Sequence, residues 1–89
     1  MKPIKTITKA ITWNDIDFKT EYDTYGIKDL LIINKRKYLI EDNYFLNDSV
    51  HVYKAVKYSF ARGYKDVVTL ISSDFDIDEI TVTIERFTI

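Results

Sequence analysis

Hydrophobic and polar residues alternate along much of this chain, and the alternation predicts strands. From Lys5 to Trp13 the stretch KTITKAITW carries β-branched residues at nearly every other position, which favours a strand over a helix. Residues Ile16 to Tyr22 set Ile16, Phe18, Thr20 and Tyr22 on one face against Asp17, Lys19 and Glu21 on the other. Asp23-Thr24-Tyr25-Gly26 has Asp at the first and Gly at the fourth position of a type I turn, so the chain should reverse there. Leu30-Leu31-Ile32-Ile33 is apolar on both faces, as a central strand is. The polar tip Asn34-Lys35-Arg36-Lys37 then leads to Tyr38-Leu39-Ile40, which reads as a hairpin.

The following segment reads as a helix over about residues 48–62. Asn47, Asp48 and Ser49 are all good N-caps, and Val52, Val56 and Phe60, with Tyr53, Ser59 and Gly63, follow the i, i+3/i+4, i+7 spacing of one helical face. Gly63 suits a left-handed residue after the last turn. Lys54, Lys57 and Arg62 would occupy the outer side, the last two near the negative end of the helix dipole. Val67 to Ile71 then predicts a buried strand, and Ile80, Val82 and Ile84, alternating with Thr81, Thr83 and Glu85, predict a last one. The order β-β-β-β-α-β-β implies an α+β two-layer sandwich, a mostly antiparallel sheet with one amphipathic helix packed on one face. No repeat, low-complexity tract or linker divides residues 1–89, which are read as a single domain.

Composition narrows the picture. With 46% hydrophobic and 30% charged residues the chain can bury one core without metal or disulfide staples. The absence of cysteine excludes disulfides, thiol nucleophiles and thiolate metal sites, and it is compatible with the cytoplasm, the expected location. No export signal or bilayer-spanning run is visible, so no membrane association is expected. A net charge of −1 gives no global attraction to nucleic acid, which leaves local patches to decide.

The stretch SDFDIDE, residues 73–79, looks at first like the start of a cation loop. Counted from Asp74, the ligands would be Asp74, Asp76, Asp78 and Glu85, but position 6 is Glu79 where such a loop needs glycine. Phe75 and Ile77 fall on odd positions and Ile80, Val82 and Ile84 on even ones, so the apolar face switches near Asp78-Glu79, the mark of a turn or bulge. His51, the only histidine, reads as an exposed helix residue that cannot pair with Ser49. Two glycines make no phosphate loop, and Asp15 with Asp17 or Glu41 with Asp42 are ordinary surface carboxylates. No catalytic residue, metal or cofactor is therefore expected, and the chain is read as a non-enzyme.

LLIINKRKYLIEDNYFLNDSVHVYKAVKYSFARGY, a hairpin leading into a capped helix that ends in Gly-aromatic, resembles the layout of some small phage anti-CRISPR proteins. The Ile, Lys, Asn, Asp and Tyr usage is similar to that of low-GC phages and mobile elements. The likeness involves no signature motif, and this chain is nearly neutral where the DNA-imitating members are strongly acidic. What the resemblance implies is a stoichiometric inhibitor that occludes a larger host protein.

The expectation is thus a non-catalytic binding protein with a protein partner. Asp74, Asp76, Asp78 and Glu79 would meet a basic partner, and Lys35, Arg36, Lys37, Lys54 and Lys57 an acidic one. Tyr25, Tyr44 and Tyr58 are the candidate exposed aromatic contacts. The alternative is a small nucleic-acid-binding or regulatory domain using the basic hairpin tip and the helix face. An exposed terminal strand pairing across a two-fold axis would give a homodimer.

Overall fold

The computed structural model describes residues 2–73 and 76–89, and for residues 76–79 the backbone alone. Seven strands run in chain order: β1 (Lys5–Ile11), β2 (Ile16–Asp23), β3 (Gly26–Ile33), β4 (Arg36–Asn47), β5 (Val50–Ser59), β6 (Tyr64–Ser73) and β7 (Asp76–Thr88). Two short 3-10 turns, Trp13–Asp15 and Phe60–Arg62, connect β1 to β2 and β5 to β6. The strands form one sheet in the order β1-β7-β6-β5-β4-β3-β2, with every neighbouring pair antiparallel.

That order forces the sheet to curl. The edge strands β1 and β2 are joined by residues 12–15 alone, and the five peptide steps from Ile11 to Ile16 span at most about 18 Å. In a flat sheet of this order six inter-strand gaps would separate the edges by about 29 Å. The sheet therefore rolls until its edges approach, and the inward face becomes the core. Residues directly opposite across strands share a face: Ile84 faces Val68, Val68 faces Ala55, Ala55 faces Ile40, and Tyr38 faces Leu31. Leu31, Val68, Leu70, Ile80 and Val82 are fully buried there, with Ile16, Ile33 and Ala55 beside them.

No amphipathic helix packs on the sheet, and the α+β expectation is corrected to a fold of strands. Residues 50–59 are β5, hydrogen-bonded to β4 on one side and β6 on the other. The apolar spacing that suggested a helix is degenerate: Val52, Val56 and Phe60 are four apart, which is close to one helical turn but is also two strand repeats. Two observations favour the strand. Val50, Val52, Val56 and the tyrosines are strand-prone, and both faces of β5 are buried, Ala55 inward at 2% exposure and Val52 and Val56 outward at 2% and 4%. The caps serve other ends. Asn47 Oδ1 accepts from Ser49 N at 2.9 Å and closes the β4–β5 hairpin. Gly63 is left-handed at φ +78° after the Phe60–Arg62 turn, the same backbone role with a shorter element before it.

The remaining strands lie where the alternation predicts them. The chain reverses after Asp23, whose Oδ1 accepts from Tyr25 N at 2.8 Å. Asn34 and Lys35 both take positive φ, 52° and 63°, the two-residue hairpin geometry that matches strand twist. Ser72 pairs with Ile80 and Ser73 with Asp76, so residues 77–79 bulge from the ladder, as the switch of apolar parity predicts. Among the described residues no helix is long and apolar enough to cross a membrane.

Candidate functional site

Strand parity gathers four charged residues in one row. Lys5 stands across from Arg86, Arg86 from Asp66, and Asp66 from Lys57, so all four belong to the inward face of four adjacent strands. They lie at the end of the roll where β1 and β6 begin and β5 and β7 finish. Arg36, the first residue of β4, and Arg62, from the turn after β5, complete a recess of about 430 Å³ with Ser59 and Tyr64. Among the described residues five cations and a single carboxylate line it.

That carboxylate is already committed. Asp66, only 6% exposed, accepts two bonds from Arg86: Nε to Oδ1 at 2.8 Å and Nη2 to Oδ2 at 3.1 Å. Such a forked, charge-assisted pair fixes geometry as well as charge. The other side of the Arg86 guanidinium lies 3.7 Å from the centre of the Tyr64 ring, and the hydrogen bond to Asp66 raises Arg86 further above its ordinary pKa. Arg62 Nη1 donates to the Tyr64 hydroxyl at 3.5 Å, and that bond holds the phenol below its usual range. Burial pushes the Tyr38 hydroxyl up, partly offset by Arg36 beside it. Among the described residues Lys5, Arg36, Lys57 and Arg62 have no ion-pair partner, so the recess carries excess positive charge.

Two exposed aromatic rings follow Lys57 in the chain, Tyr58 with the outward parity of β5 and Phe60 in the turn after it, and neither lines the recess. Tyr58 and Phe60 stack with centroids 5.2 Å apart and planes within 5°, and they are 45% and 73% exposed. Lys65 Nζ lies 5.9 Å from the Tyr58 ring centre.

The basic residues expected to act together are divided. Arg36 and Lys57 enter the recess. Lys35 occupies the β3–β4 turn, Lys37 is held by Glu21 at 2.9 Å, and Lys54 is on the outward face across from Asp42. Lys57 and Arg62 have no helix dipole to complement; they line the recess instead. Tyr25 is 94% exposed at a hairpin tip and Tyr44 37% exposed on β4. Asp74 lies outside the described residues, as do the side chains of Asp76, Asp78 and Glu79.

His51 is corrected from an exposed helix position to a half-buried one on β5. Its ring lies 4.3 Å from Phe45 and 4.2 Å from Tyr53, and its Nε2 has no hydrogen-bond partner among the described residues. Asp15 accepts from the Thr12 backbone at 3.2 Å to close the first 3-10 turn, whereas Asp17 lies on β2. Glu41 falls at an irregularity in the β4–β5 register, between Ile40 and Asp42.

Lys5, Asp66 and Arg86 were not singled out by the sequence as binding residues, and Arg62 was read only as one of the cations on the outer side of the expected helix. The signal for Asp66 and Arg86 was present, because each shares the even parity of its strand's core residues, Val68 and Leu70 on β6 and Ile80, Val82 and Ile84 on β7. Only the strand order reveals that they meet. Comparison with protein-family models, with curated proteins and with solved structures found no match. The hairpin-to-helix layout behind the anti-CRISPR likeness is a β4–β5 hairpin in the structure, so the likeness loses the element it rested on.

Proposed function

We propose that the protein is a non-catalytic binding module that captures phosphate-bearing ligands, single-stranded nucleic acid in particular, at the basic end of its rolled sheet. The observation that carries this reading is the recess itself, with five cations around one hollow and, among the described residues that line it, one carboxylate, already bound to Arg86. Arginine forks suit phosphate oxygens bidentately, and lysines add point charge. The Tyr58–Phe60 pair does not line the recess, but it is an exposed π-face on the neighbouring residues of β5 and its following turn, and unstacked bases of a single strand need such a face where paired bases do not. Tyr25 and Tyr44 remain candidate contacts for a protein partner, although neither lines the recess.

Fluorescence anisotropy with a labelled oligonucleotide of about ten nucleotides tests the proposal. Affinity should fall with added salt, with a log–log slope of about −0.7 for each phosphate charge neutralised. Arg36→Ala and Lys57→Ala should each weaken binding about tenfold or more, whereas Lys37→Ala and Lys54→Ala should not. A flat salt response, or equal losses at all four positions, contradicts it.

A further inference from the structure

We infer that the recess is a terminal-phosphate site, one that takes the phosphomonoester at the end of a strand or on a free nucleotide in preference to internal phosphodiesters. The inference rests on the phosphate-binding reading above and narrows it to one chemical group.

The first reason is shape. A surface that tracks a polynucleotide spreads its cations along a path so that each meets a successive phosphate. Here the cations come from β1, β4, β5, β7 and the Phe60–Arg62 turn and converge on a single hollow. A cleft of about 60 Å³ bounded by Ile7 and Ile84 adjoins the hollow beside Lys5, Arg36 and Arg86, and a further recess of about 220 Å³ that reaches Lys9 and Asn34 shares Ile7, Arg36 and Ile84 with that cleft. Among the described residues five cations meet at the outer hollow and only Lys9 and Arg36 at the inner recess, so the positive charge is concentrated at one point and not spread along the groove. A volume of about 430 Å³ is also of the size that holds a small molecule, with room for a phosphate and part of its nucleoside.

The second reason is charge. A phosphodiester carries one negative charge, and a monoester carries about 1.5 to 2 near pH 7 with three terminal oxygens. Several cations focused on one point discriminate in favour of the denser charge, because each adds an interaction with the same group. The third reason is order. Arg86 is clamped between Asp66 and the Tyr64 ring before any ligand arrives, so little side-chain entropy is lost when it binds.

The test compares three forms of one single-stranded DNA of about ten nucleotides, bearing a 5′-phosphate, a 3′-phosphate or hydroxyls at both ends, with inorganic pyrophosphate as competitor. A phosphorylated end should tighten binding at least about tenfold over the hydroxyl-ended strand. The preference should shrink between about pH 7.5 and 5.5 as the monoester dianion takes up one proton and falls to the single charge of a diester. Pyrophosphate should displace the strand, and Arg36→Ala and Lys57→Ala, with circular dichroism spectra unchanged, should lose the preference. Equal affinity for all three strands overturns the inference. If that binding still depends on salt and on Arg36, the broader proposal survives. If no form binds, both fall.

Discussion

Tyr38 and Asp66 lie near each other under the basic recess, and each is buried for a different reason. Tyr38 is 1% exposed, and burial raises its pKa because the phenolate would lose its hydration there. Its folded value therefore lies above the unfolded value near 10. The stability contributed by the neutral phenol is complete below about pH 10 and is lost as pH rises through the folded pKa. Replacement by phenylalanine removes that linkage. Tyr38→Phe should therefore lose less stability than the wild type in chemical denaturation between about pH 9 and pH 11.5, and identical pH dependence in both proteins would contradict the assignment. Asp66 is tolerated inside because Arg86 satisfies both of its oxygens. Removing one partner of such a pair leaves a charge that is costly to bury, although the Arg86 side chain keeps 27% exposure and water moderates the loss.

The β3–β4 hairpin and β5 mark the two limits of what the chain's pattern can convey. The hairpin was legible because the polar Asn34-Lys35-Arg36-Lys37 separates two strongly apolar runs, although the turn itself is Asn34-Lys35 alone and Arg36 and Lys37 already belong to β4. Lys35 nevertheless holds φ +63°, where a β-carbon is unfavourable and glycine is not. Lys35→Gly should raise stability by about 0.5–1 kcal/mol, measured by urea unfolding, and it should leave nucleic-acid affinity unchanged because Lys35 does not line the recess. A destabilised variant, or one that loses binding, would show that the tip itself contributes. β5 was not legible, for spacing by four satisfies both periods and its hairpin asparagine and serine are also helix caps. Tertiary pairing decided between them: β5 has ladder partners on both sides and side chains buried on both faces. The recess was harder still, since Lys5 and Arg86 are at opposite ends of the chain and only the β1–β7 pairing makes them neighbours. Arg36 and Lys57 were visible as cations, but not as members of one inward-facing set.

Rolling the sheet also separates charge. A net charge of −1 suggests no preference for anions, yet the total conceals an uneven distribution. Two carboxylates on the β2–β3 hairpin are matched locally: Glu21 is held below its usual pKa chiefly by Lys37, and Asp23 by Lys28 at 2.8 Å. Among the described residues the recess cations have only Asp66 to answer them. An electrostatic preference can therefore exist at one end of a nearly neutral molecule, with a range of about one Debye length, roughly 8 Å at physiological salt. The most direct test is an amide chemical-shift map of the uniformly 15N-labelled protein titrated with a 5′-phosphorylated single strand. The account predicts saturable shifts concentrated around Lys5, Arg36, residues 57–66 and Arg86, with the outward face near Tyr44 and Ile71 unaffected. Shifts centred on that outward face, or none at saturating ligand, would contradict it.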